Sequence, residues 1–138
     1  MSRGLYVKKK DLRWAVGDTS VFSNITAYAA LITTAPAADD TGYVEPATAN
    51  GYARVALSTT FGSLPVPASD GSLTSTADLV WGAASAPWPN AVIGWAIFDS
   101  ATRAAGNLIR YVPLTLSKTI STGDVFRLPA GSAILREP

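Results

Sequence analysis

Ala91-Val92-Ile93-Gly94-Trp95-Ala96-Ile97-Phe98-Asp99 is the stretch on which the fold turns. Its two alternating sets are Ile93, Trp95 and Ile97 on one side and Val92, Ala96 and Phe98 on the other, and both are apolar. A strand with two apolar faces has to be covered on both, so this segment is expected at the centre of a sheet. It is far shorter than the roughly 20 residues that cross a bilayer, so no membrane span is expected. Gly94, inside the pattern, predicts a bulge or a close approach.

The segments on either side carry the same period of two. Ile25, Ala27, Ala29, Leu31 and Thr33 alternate with Thr26, Tyr28, Ala30, Ile32 and Thr34, and Pro36 ends the run. In Tyr52–Ser58, Ala53, Val55 and Leu57 share one face and Arg54 takes the other. Leu73–Trp81, Leu108–Leu116, Asp124–Leu128 and Ser132–Arg136 are further strands, separated by clusters such as Ala86-Pro87-Trp88-Pro89-Asn90 and Ser121-Thr122-Gly123-Asp124. Apolar residues nowhere recur at helical spacing for three turns with matching caps. Short strands at this spacing predict an all-β, antiparallel sandwich or barrel. Residues 24–138 are read as one domain, because the pieces on either side of Pro65, Pro67, Ser69, Asp70 and Gly71 are too small to fold alone.

Composition narrows the chemistry. The 138 residues include no histidine and no cysteine, which removes thiol nucleophiles, Fe–S clusters, zinc ribbons and the commonest general base. Charged residues make up 15% and apolar ones 48%, against about 25% charged in an average soluble domain, so small and hydroxyl side chains must cover much of the surface. No apolar run follows the first lysines, so a secretory signal is not expected.

The net charge of +1 divides unevenly. Residues 1–13 hold Arg3, Lys8, Lys9, Lys10 and Arg13 against Asp11, a net of +4, and the rest of the chain carries −3. Residues 1–23 are therefore read as an extended basic arm, with a solvated terminus as the plainer alternative. Trp14 adjoins the arm and could anchor it on a neighbouring subunit. Three lysines ahead of an acidic body do not make the basic face that nucleic acid requires.

Catalytic groupings are scarce. Asp39-Asp40 is the only adjacent acidic pair, and in a loop rich in Pro, Ala and Gly it reads as turn chemistry ahead of a calcium site. Asp99 and Asp124 read as hairpin residues, and the glycines match no phosphate-binding pattern. No cofactor, metal or catalytic residue is assigned, and the chain is not expected to be an enzyme. Trp81 and Trp95 belong to the predicted core. Trp88, between two prolines, is the candidate exposed loop contact.

Leu31-Ile32-Thr33-Thr34-Ala35-Pro36, Gly42-x-x-Glu45-Pro46 and Gly51-Tyr52-Ala53-Arg54-Val55-Ala56 stand in an order that resembles a small family of tailed-bacteriophage virion proteins. The similarity continues through Ala91–Asp99, Gly106-Asn107-Leu108, Pro113-Leu114, Lys118-Thr119-Ile120 and Leu128–Ser132. Some members are described as tail-fibre or minor structural proteins, and others look like capsid cement or head-decoration proteins. The loop from Ser100 to Asn107 is longer here than the tight family hairpin, and Leu64–Ser72 is individual to this chain. The resemblance implies a jelly-roll-like sandwich in the virion, non-enzymatic, that binds the major capsid protein and copies of itself as a homotrimer. A capsid cement or decoration role is the first expectation, with Arg3, Lys8, Lys9, Lys10, Arg13 and Trp14 making the contact. A tail-fibre or baseplate module reaching host glycans through Trp88 is the alternative.

Overall fold

A computed structural model describes residues 2–18, 26–57, 60–61 and 72–136. The strands are β1 (Ser2–Arg3), β2 (Tyr28–Ile32), β3 (Val55–Ala56), β4 (Leu73–Thr74), β5 (Leu79–Trp81), β6 (Val92–Phe98), β7 (Leu108–Lys118), β8 (Phe126–Leu128) and β9 (Ile134–Leu135). Among the described residues one helix, α1 (Leu5–Ala15), and one 3₁₀ turn (Thr48–Asn50) accompany the strands. All strand pairs are antiparallel, so the all-β expectation holds.

The main sheet runs β1-β7-β6-β2-β3, which puts β6 in the middle, where its two apolar faces require it. Pairing of β2 with β6 sets Ala29 against Ile97 and Leu31 against Trp95. Those four side chains look into the larger core, with Leu79, Trp81, Ile120 and Phe126. The alternate residues Ala30, Ile32, Ala96 and Phe98 point the other way and form a smaller core with Leu108, beneath Tyr43 and Tyr111. Gly94 serves close approach: a Cβ there would lie 2.5 Å from the Tyr111 ring, and the β6–β7 register shifts beside it.

The remaining strands form two ribbons, β4–β9 and β5–β8. Among the described residues the strands make one five-stranded sheet and two ribbons, which supports the all-β class and does not by itself establish the expected jelly-roll-like sandwich. The predicted strand Leu73–Trp81 is broken in two. Ser75, 3% exposed, donates its amide to the Ala133 carbonyl and accepts the Gly131 and Ala133 amides on its hydroxyl, while Thr76 donates to Thr60. These local bonds compete with the ladder and turn the chain. Leu64–Gly71 and residues 19–23 of the expected arm lie outside the described residues.

The N-terminal segment differs most from expectation. It is neither extended nor detached: β1 pairs with Tyr111 and Arg110 of β7, and α1 lies against the same strand. Lys8-Lys9-Lys10, read as part of an extended arm, are good helix formers. The helix ends where Gly17, at φ 96°, donates to Trp14 and Asp18 donates to Arg13, a Schellman close that needs a left-handed residue. No residue of α1 is fully buried, which is why apolar periodicity did not reveal it.

Candidate functional site

The six residues assigned to the arm fall on one short unit, β1–α1. Gly4 joins its two halves, and the Gly4 amide donates to the Ile109 carbonyl at 2.9 Å. A Cβ on Gly4 would overlap the Leu108 carbonyl, so only glycine allows the helix to start this close to β7. Asp40 accepts the Tyr6 amide at 3.2 Å, supplying a partner for one of the open N–H groups of the first turn. Arg3 and Asp11 form an ion pair that closes strand onto helix.

The charges are not equally available. Arg13 donates to Asp18 through Nε at 3.0 Å and Nη2 at 2.6 Å. The Lys10 ammonium sits 4.6 Å above the Tyr6 ring. Lys8 and Lys9 are exposed. Leu12, Trp14 and Val16, at 72%, 59% and 86% exposure, bring large apolar surface to the last turn. The structure therefore gathers the predicted arm residues into a basic, partly apolar helix on the sheet edge. Beside it, Tyr6 and Lys9 line a groove of about 350 Å³ with Asp39, Asp40, Tyr43 and Asn107.

Turn chemistry accounts for the acidic residues singled out in the sequence. Asp39 accepts the Thr41 amide and hydroxyl, and those bonds hold its carboxyl below the ordinary range. Asp99 accepts the Asn107 amide at 2.6 Å and its side chain at 2.9 Å. Burial would raise the Asp99 carboxyl, but the Asn107 bonds outweigh it and bring it down. Asp124 accepts the Ser121 amide. Among the described residues no group of three or more acidic side chains could hold a metal ion.

Trp88 corrects a prediction. It is 4% exposed, edge-on to Tyr52 at 5.8 Å, and its indole N–H donates to the Asn50 carbonyl at 3.1 Å. The flanking prolines fix its backbone, but the ring turns inward and satisfies its one donor there. Its burial removes the motive for a glycan contact at this position. Trp81 and Trp95, at 1% and 2%, are core as expected.

The sequence reading missed the main polar feature, which lies in the very motifs that carry the resemblance. Glu45 and Arg54 form an ion pair whose side chains are both fully buried. Glu45 Oε1 accepts Arg54 Nε at 3.0 Å and the Tyr52 hydroxyl at 2.6 Å. Glu45 Oε2 accepts Arg54 Nη2 at 2.9 Å and the Ala104 amide at 2.7 Å. The same guanidinium donates to the carbonyls of Ser100 and Ala105 at 2.8 Å and stacks over Phe98 at 3.9 Å. Arg103 adds bonds to the Glu45 and Pro46 carbonyls, both at 2.7 Å. Burial would push the Glu45 carboxyl up, but Arg54, Tyr52 and the Ala104 amide hold it below its ordinary value. Burial first, and then the Glu45 charge, raise the Tyr52 hydroxyl.

These bonds all run from one part of the chain to another, so the cluster acts as a staple. It fixes the longer 99–107 hairpin to the loop that contains Glu45. Gly42-x-x-Glu45-Pro46 and Gly51-Tyr52-Ala53-Arg54 belong together because their side chains bond one another. A Glu and an Arg set among turn and strand residues were the only signal, and alternation places Arg54 only on the face opposite Ala53, Val55 and Leu57.

The chain therefore presents a rigid β body, a stapled hairpin and a basic helix on one edge. No curated protein matches it. Residues 4–136 match the family model described as Podophage GP4 fiber I protein gp80, and the chain belongs to that family of phage fibre structural proteins.

Proposed function

We propose that this chain is a non-enzymatic structural subunit of a phage tail fibre, and that the β1–α1 unit is its attachment face toward neighbouring virion proteins. The family match over residues 4–136 carries the fibre reading and favours it over the capsid cement expected first from sequence. The attachment reading is supported by the exposed Lys8 and Lys9 and the apolar last turn of α1. A stapled body without open chemistry suits a part whose work is to hold shape.

Antibody labelling of intact virions tests the location. Label at the tail is the expected result. Label over the head would overturn the fibre reading and restore the cement role with the major capsid protein as partner. Particles assembled with Lys8→Glu and Lys9→Glu test the attachment face: reduced occupancy is expected, and unchanged occupancy of a folded variant refutes it.

A further inference from the structure

We infer that the groove between the first turns of α1, the turn at residues 39–43 and the end of the 99–107 hairpin is a binding site for an uncharged saccharide. It holds about 350 Å³, at the lower end of the roughly 300–1,000 Å³ of small-ligand sites, which suits one or two sugar rings. Three segments distant in sequence converge on it. Tyr6 and Lys9 come from the helix, Asp39, Asp40 and Tyr43 from the turn, and Asn107 from the hairpin.

The lining is fixed without a ligand. Asp99 holds the Asn107 amide at 2.6 Å and its side chain at 2.9 Å. The Tyr43 ring rests on Phe98 with centroids 5.1 Å apart. Asp39 is held by Thr41 through Oδ1, and Asp40 accepts the Tyr6 amide on Oδ2, so each carboxylate keeps its second oxygen for a ligand. Groups already in place do not have to be ordered when a ligand arrives.

The mixture of groups selects the ligand class. Lys9 stands in the same groove as Asp39 and Asp40, so an anion meets two carboxylates and a cation meets an ammonium. A second ammonium, that of Lys10, lies 4.6 Å from the Tyr6 ring centroid and opposes a cation there. A purely apolar ligand would take water from these charges and return no hydrogen bond. A sugar ring meets none of these penalties. Its hydroxyls donate to the carboxylates and accept from Lys9, and its C–H face packs against a tyrosine ring. This reading stands apart from the attachment reading, which rests on Lys8, Lys9 and the last turn of α1; Lys9 alone is common to both.

The test uses the full chain, labelled with ¹⁵N and titrated with the methyl glycosides of glucose, galactose and N-acetylglucosamine. Tetramethylammonium and inorganic phosphate serve as charged comparisons. At least one sugar should shift the amide signals of residues 5–9, 39–43 and 106–108, with a Kd of about 1–10 mM for a single ring. Asp40→Asn keeps an oxygen for the Tyr6 amide, and Tyr6→Leu removes a ring; each should weaken that sugar about tenfold, with the remaining signals showing that the fold is kept. No shift with any of the three sugars at about 50 mM would overturn the inference. So would shifts confined to other parts of the chain, an affinity unchanged in both variants, or a stronger response to either ion.

Discussion

Removing the Arg54 charge should be among the most damaging single changes to this protein. In Arg54→Met the aliphatic bulk above Phe98 is largely kept, but Glu45 loses its ion pair and both guanidinium bonds. The carboxylate is then left buried with only the Tyr52 hydroxyl and the Ala104 amide, and the Ser100 and Ala105 carbonyls lose their donor. Breaking a buried pair from one side costs about 3–5 kcal/mol. A domain of this size loses about 3 °C of Tm per kcal/mol, so the midpoint should fall by about 10–15 °C. Urea unfolding followed by tryptophan fluorescence at neutral pH measures the cost, because three of the four tryptophans lie in or against the core. The double variant Glu45→Leu/Arg54→Met removes both charges, and its cost should fall short of the two single costs summed by about 2 kcal/mol or more. Lowering the pH should shrink the single-variant penalty, since the orphaned Glu45 can then take up a proton. A neutral-pH cost below about 1 kcal/mol, or strict additivity in the double variant, would refute the reasoning.

The same staple sets a pH window for stability. The Glu45 carboxyl is lower in the folded chain than its ordinary 4.5, so the unfolded chain binds the proton first and stability should decline as pH falls below that value. Tyr52 is raised above its ordinary 10.0, so its contribution is complete below that pH and is lost as pH rises beyond it; thermal melts across the range should show both limbs, and Tyr52→Phe should shrink the alkaline one, to which Tyr111, also raised by burial, contributes as well. Gly4→Ala should lift β1–α1 from the sheet edge, because its methyl would meet the Leu108 carbonyl. Limited trypsin digestion at Lys8, Lys9 and Lys10 should accelerate while the Tm of the body changes by only a few degrees, and an unchanged cleavage rate would show that the segment is held elsewhere.

The strand content and the place of β6 were legible because period-two patterning reports burial directly. Val92 and Ile93 onward are apolar on both faces, and only a central strand accommodates that. The hairpin roles of Asp99 and Asp124 were legible too, since such contacts are local in sequence. The helix escaped because its amphipathic signal is weak: it rests on an edge with no residue fully buried, and its clearest mark was the closing Gly17. Trp88 was misread because flanking prolines fix the backbone but not the side on which a ring packs.

By itself, then, the sequence determined an all-β body without thiol or imidazole chemistry, a basic first segment and a family of virion proteins. The tertiary structure decided where the charges stand. Arg54 alternates with apolar neighbours like a surface residue, yet it is buried because Glu45 and the 99–107 hairpin converge on it from distant parts of the chain. Local periodicity records which face of a strand is apolar; it holds no record of a partner brought across by folding, and that partner is what makes a buried charge tolerable.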